Sequence, residues 1–238
     1  EGWVRRDIAG RRKAAPSVSA FGNARGDWYE MLLAAALWNQ AKQIGDYRCI
    51  LLPNRTTLKF ESLFGGDAAK ALSDLFKHLE RKKATLLASN PDLLLIRKPA
   101  ELAGLDFEVD RLDEESIDRL RKAYENLRGK CEYMWVVAGI GIKTSNRPDR
   151  RQQLVQEGSV LKAIAAHFQI RFWDDRYRVR YVAATLEAKD ADQEALATAA
   201  VHTLISVNLP VERAVDALVE VRNPRAAGKL MRIAAGLA

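Results

Sequence analysis

The chain has 238 residues and carries 38 basic against 31 acidic side chains, a formal net charge of +7 that suits a polyanionic partner and salt-sensitive binding. Its 48% apolar and 29% charged content reads as soluble and globular, and no apolar run approaches the roughly 20 residues that span a bilayer. Cys49 and Cys131 are too few for a disulfide framework and lack the spacing of a zinc site, so a reducing, cytoplasmic setting is expected.

Residues 1–27 are basic and turn-rich, with Arg5, Arg6, Arg11, Arg12 and Lys13 followed by Pro16, Gly22 and Gly26. They read as a mobile arm at the start of a single domain covering 1–238. Asp27 is expected to cap a helix from about Trp28 to Ile44, with Leu33, Ala34, Leu37 and Ala41 on one face. Tyr47–Leu52 reads as a strand ending at Pro53, and Gly65-Gly66-Asp67 as the turn and cap of an amphipathic helix to Lys83. After Asn90-Pro91, the run Asp92–Ile96 is long enough for a central strand and too short for a helix.

Residues 98–113 read as a loop, and Glu114–Leu127 as a helix stopped by Gly129. Tyr133–Lys143 is the longest strand pattern, and Pro148 suits the first turn of a helix running to about His167. Val179–Thr185 reads as a strand, and helical patterns follow at 190–204, 211–221 and 225–236. There is no internal repeat. Strands alternating with helices predict an α/β fold with a mixed central sheet flanked by helices.

Four charged residues fall in apolar company. Glu30 shares its helix face with Leu33, Ala34 and Leu37, and Glu157 shares its own with Leu161, Ile164 and Phe168. Asp92 opens one strand and Lys143 closes another. An ionised group on a buried face is costly unless it is paired or holds a metal, so the three carboxylates and the lysine are candidates for a hard-cation site. Each alone has an ordinary explanation: a helix-rim glutamate paired with an arginine, a turn aspartate, a lysine snorkelling to solvent. Just beyond Lys143, Arg147-Pro148-Asp149-Arg150 holds the side chains that fit a G·C pair in the major groove. Arginine forks onto guanine O6 and N7, and a carboxylate accepts from the cytosine amino group.

The order Glu30, Pro91-Asp92, Lys143-Thr144 through Arg147-Pro148-Asp149-Arg150-Arg151, then Gln156-Glu157-Gly158-Ser159, resembles the CCGG-recognising branch of type II restriction endonucleases in the PD-(D/E)XK superfamily. It is most similar to the tetrameric members that cut RCCGGY. Gly26-Asp27-Trp28-Tyr29-Glu30, Ser89-Asn90 and Arg180–Thr185 extend the likeness, which spans residues 22 to 185.

The resemblance implies a restriction-endonuclease core in which Asp92 and Glu157 ligate Mg²⁺, Glu30 completes the acidic cluster and Lys143 serves the attacking water. Arg147 and Arg150 would reach guanines while Asp149 accepts from cytosines. It further implies double-stranded DNA as partner, a two-fold dimer for a palindrome, and a tetramer holding two DNA copies, with no membrane and no nucleotide cofactor. Arg176, Arg178 and Arg180 would line one strand face as interface or clamp, or else blunt an edge strand; Pro53–Thr56 and Asn90 are candidate readers of the outer base pairs.

One departure stands out. The superfamily's usual acid lies two residues before the lysine, and that position here is Gly141. In the CCGG branch the carboxylate comes instead from the helix 14 residues after the lysine, where Glu157 stands. The alternatives are a sequence-specific DNA-binding protein of weak or no activity, favoured by Gly141, and a structure-reading nuclease of the same superfamily, disfavoured by the G·C reader. His78, His167 and His202 are scattered, and Trp28, Trp38, Trp135 and Trp173 read as core or interface anchors.

Overall fold

Leu93–Ile96 is apolar at every position, so neither face of the run can turn to water, and all four side chains are fully buried. The run forms β2 (Leu93–Arg97), antiparallel to β1 (Tyr47–Leu51) on one side and to β3 (Val136–Lys143) on the other. Two more strands, β4 (Arg180–Thr185) and β5 (Ala217–Glu220), join in parallel beyond β3. The result is one mixed sheet in the order β1-β2-β3-β4-β5, within the expected α/β class. The computed structural model describes residues 18–53, 60–85, 90–97, 104–204 and 211–237. Most of the N-terminal arm, Asn54, Arg55, Thr56 and Ser89 lie outside the described residues.

Parallel neighbours need crossovers, and helices supply them. The helices are α1 (Val18–Gln43), α2 (Gly66–Arg81), α3 (Glu114–Leu127), α4 (Pro148–Phe172), α5 (Asp190–Leu196) and α6 (Pro224–Ala235). Helix α4 carries the chain from β3 to β4 and packs on both; α5 lies between β4 and β5 in the chain and packs on β5 and α4. Helix α1 packs against β1 and α6 through Leu33, Ala34, Leu37, Trp38 and Ala41, all buried. A strap at Leu105–Val109 locks α1 from outside. Trp38 Nε1 donates to Phe107 O at 2.9 Å with its ring stacked on Phe107, and Asn39 exchanges two hydrogen bonds with the Val109 backbone.

Several elements differ from expectation. Helix α1 begins at Val18, so residues 18–27 are helical rather than part of a turn-rich arm, and Asp27 lies inside the helix instead of capping it. Gly22 and Gly26 each cost the helix about 1 kcal/mol and are tolerated within its 26 residues. Helix α4 reaches Phe172, while Tyr133–Trp135 form a 3₁₀ turn ahead of β3. The pattern at 211–221 is a strand, β5, because pairing with β4 outweighs a short ambiguous apolar run. The 190–204 pattern breaks after Leu196 and resumes only as a 3₁₀ turn at Val201–Leu204.

The arginine stripe is also corrected. Only Arg180 of the three lies on a strand, and β4 is an inner strand flanked by β3 and β5. Arg178 is bound to Glu212 at 3.4 Å. Of the tryptophans, Trp38 is fully buried, whereas Trp28 and Trp173 are exposed. Both cysteines are buried and unpaired, and no helix among the described residues is long and apolar enough to cross a membrane.

Replacing Trp38 with alanine is expected to lower stability in urea by about 3–5 kcal/mol, since it empties a core site and leaves the Phe107 carbonyl with Lys42 Nζ, at 3.1 Å, in place of two donors. The same change at Trp173, which is 93% exposed, should move the urea midpoint hardly at all.

Candidate active site

Antiparallel pairing of β2 with β3 sets Leu93 opposite Ile140, so the residue before β2 falls beside the last turns of β3. Pro91 is buried there, and Asp92 follows it. Asp92 Oδ2 accepts from the Ile142 backbone N–H, which fixes the carboxylate next to Lys143. Lys143 ends β3 with its side chain buried, and its Nζ lies 3.3 Å from Asp92 Oδ2 and 3.9 Å from Glu157 Oε1.

Glu157 comes from α4. Pro148 opens that helix at its first turn, and Leu154, Leu161, Ile164 and Phe168 bury the face that Glu157 shares. The glutamate is 1% exposed and densely bonded: Gln153 Nε2 donates to Oε1 at 2.9 Å, and the Tyr181 hydroxyl donates to Oε2. Burial, reinforced by the Glu157 carboxylate, raises the Tyr181 phenol well above its ordinary 10, so it stays protonated as a donor. Neither partner was picked out from sequence. Gln153 could have been, because it lies one helical turn before Glu157. Tyr181, 24 positions away on another element, leaves no spacing signal.

Glu30 of α1 completes the group. Its carboxyl is raised from 4.5 to about 7, first by burial, then by the Asp92 charge, with Lys143 pulling the other way and Asp27 adding a smaller upward push. The four sequence candidates therefore share one electrostatic neighbourhood, three of them in direct ion-pair contact.

The residues singled out as base readers lie at the mouth of the same strand–helix junction. Arg147 is the N-cap position of α4, and Arg147, Asp149 and Arg150 are all exposed. Asp149 Oδ2 sits 3.1 Å from Arg147 Nη2 and 3.9 Å from Arg150 Nε. Exposed pairs of this kind are worth about 0–1 kcal/mol, so all three side chains can exchange one another for a ligand cheaply.

The junction itself is firmly tied. Arg151 Nη1 bonds Asp192 Oδ1 at 2.8 Å, and Asn146 Nδ2 reaches the Glu187 carbonyl at 2.6 Å and Asp192 Oδ2 at 3.3 Å. Asp192, on α5, was not foreseen, because it acts across 41 positions. Asn90, expected as a possible outer-base reader, has its Oδ1 accepting from the Phe60 N–H at 2.9 Å, a clip between loops.

The described residues contain no ready-made cluster of three His, Cys, Asp or Glu side chains placed to hold a metal. What they offer is a pair of hard oxygen donors, Asp92 and Glu157, beside a third carboxyl, Glu30, which burial and the Asp92 charge make costly to ionise without a cation. That set fits a small divalent ion bound by one or two carboxylates and completed by water and phosphate oxygens.

The chain is similar to proteins of known function. The family model for Cfr10I/Bse634I restriction endonucleases matches residues 4–227. The type II restriction enzyme Cfr10I of Citrobacter freundii is 28% identical over 214 residues, 87% of this chain and 75% of that one. The solved structure of the Bse634I restriction endonuclease superposes with a TM-score of 0.87 at 36% identity, covering 96% of this chain and 81% of the other. A structure of the type IIF restriction endonuclease Bse634I with cognate DNA gives a TM-score of 0.86 at 36% identity, over 92% and 78% of the two chains. The chain belongs to the Cfr10I/Bse634I family of type II restriction endonucleases, which are site-specific deoxyribonucleases.

Proposed function

We propose that this chain hydrolyses double-stranded DNA at a CCGG-centred palindrome, R/CCGGY by its resemblance to the RCCGGY-cutting members, with Mg²⁺ as cofactor and 5′-phosphate ends as products. The observation that carries the reading is the placement of Lys143 between Asp92 and Glu157, four positions from the exposed Arg147–Asp149–Arg150 trio. Chemistry and base reading thus share one strand–helix junction.

In this reading Asp92 and Glu157 hold the ion, and Glu30 adds the third carboxylate. An ion held there would supply Lewis-acid stabilisation of the charge that builds on the phosphoryl oxygens. Lys143 Nζ donates hydrogen bonds to the attacking water and to the scissile phosphate. Water oxygen bonds to phosphorus as the P–O3′ bond breaks in line; the attacking water gives up a proton to solvent and the departing O3′ takes one from solvent, leaving a 3′-hydroxyl and a 5′-phosphate. Arg147 and Arg150 read guanine edges and Asp149 reads cytosine amino groups, while the positive end of α4 favours the phosphate backbone. A palindrome calls for a two-fold pair of chains, and the tetramer implied by the resemblance would engage two sites at once. The Tyr181 hydroxyl, which donates to Glu157 beside Gly141, weighs for an ordered Glu157 and against the non-catalytic alternative that the glycine favoured.

Plasmid DNA incubated with Mg²⁺ should yield fragments whose ends map to CCGG-centred positions and can be religated; fragments at unrelated positions overturn the site assignment. Lys143→Ala and Asp92→Ala should each abolish cutting while a duplex carrying the site is still retained in gel shifts. Arg147→Ala should instead lose discrimination between the site and a one-base variant, by about 1–3 kcal/mol per lost bidentate contact.

Glu30 gives a pH-dependent outcome. Its folded-state carboxyl binds a proton more tightly than the ordinary value of 4.5 allows, so its contribution to stability is fullest below pH 4.5 and is lost as pH rises through about 7. In chelator at pH 8, Glu30→Gln should therefore stabilise the chain by about 1–3 kcal/mol, discounted for partial solvent screening, and should have little effect near pH 4.5. Thermal melts of both proteins across that range check the sign.

A further inference from the structure

We propose that Tyr181 is a positioning residue of this site, its hydroxyl holding Glu157 for the divalent ion in the space that Gly141 leaves open. The inference rests on the reading of Asp92 and Glu157 as metal ligands.

The ring is seated among three glycines, each on an element that carries the site. A Cβ added to Gly141 would lie 2.2 Å from the Tyr181 hydroxyl oxygen. One on Gly139 would lie 3.1 Å from ring carbon Cδ2, and one on Gly158, beside Glu157, 3.0 Å from Cδ1. The backbone of Tyr181 is clamped as tightly. Its N–H donates to Asp216 Oδ2 at 2.7 Å, and its carbonyl accepts from the Asp216 N–H at 2.8 Å. Lys162 Nζ, 3% exposed, holds Asp216 Oδ1 at 2.7 Å and the Arg213 carbonyl at 2.6 Å. A phenylalanine would fill this slot equally well. The hydroxyl is the part that meets the site, and it binds the Glu157 oxygen that faces neither Gln153 nor Lys143. A metal ligand that is buried and oriented by such partners loses about 10–100-fold in metal affinity when one is removed.

The test is Mn²⁺ affinity of the full chain by calorimetry, with kcat and KM for a CCGG duplex measured alongside. Tyr181→Phe should weaken Mn²⁺ binding about 10–100-fold and lower kcat while KM for DNA stays near its original value. The double variant Gly141→Ser/Tyr181→Phe should recover most of the Mn²⁺ affinity, because the serine hydroxyl springs from a Cβ 2.2 Å from the vacated oxygen position. If Tyr181→Phe does not fold, Gly141→Ala tests the same point by pushing the phenol off Glu157, and it too should weaken Mn²⁺ binding. Unchanged Mn²⁺ affinity in these variants, in an assay where Asp92→Asn abolishes it, means that Tyr181 only packs. Mn²⁺ binding indifferent to Asp92→Asn as well removes the metal-site reading and this proposal with it.

Discussion

The buried ion group formed by Asp92, Lys143 and Glu157 is the constraint around which the rest is arranged. Desolvating one lysine and two carboxylates costs several kcal/mol per ion, and the cost is met only where geometry is good and the remaining lone pairs are satisfied. The fold supplies both. Antiparallel β2–β3 pairing brings the Ile142 N–H to Asp92, the end of β3 delivers Lys143 between the acids, and α4 presents Glu157 with Gln153 one turn earlier. Even so, Glu30 stands in the same field with a carboxyl raised to about 7, first by its own burial and then by the Asp92 charge, against which Lys143 pulls the other way. A protein selected for stability alone would replace such a group with apolar side chains. Its retention makes sense as a site that a cation completes.

Under the proposed function, the same junction links catalysis to recognition in space. Lys143 ends β3 and Pro148 starts α4, so only Thr144 to Asn146 separate the buried lysine from the exposed Arg147, Asp149 and Arg150. That linker is pinned to α5 by the Asn146 and Arg151 contacts with Asp192. Under the proposed function, seating the arginines in a groove moves the same short segment that ends in Lys143. Correct base contact and correct phosphate placement then depend on one rigid piece of backbone, a direct physical route to specificity in the cutting step.

Much of this was readable from the chain because it is local. Helical spacing put Glu30 and Glu157 on apolar faces, the short run after Pro91 could only be a buried strand, and Pro148 marked the helix start. What escaped was either degenerate or distant. Gly22 and Gly26 look like breakers, yet a long helix absorbs them; the 211–221 apolar pattern fits a helix or a strand until β4 offers a partner. The three arginines after Asp175 alternate like strand residues, but β4 begins only at the last of them. Asp192 and Tyr181 act on the site across 41 and 24 positions, and contacts of that range leave no periodicity to read.

Gly141 reads differently in sequence and in packing. Taken in sequence, a glycine where the superfamily places an acid looks like a lost group and favours an inactive protein. In three dimensions the place is filled: the Tyr181 hydroxyl lies 2.2 Å from where a Cβ at 141 would be, and it donates to the glutamate that α4 contributes. Any side chain at 141 would have to displace that hydroxyl, so glycine there is what the tyrosine demands. The absent side chain and the unforeseen hydrogen bond are therefore one feature of the packing.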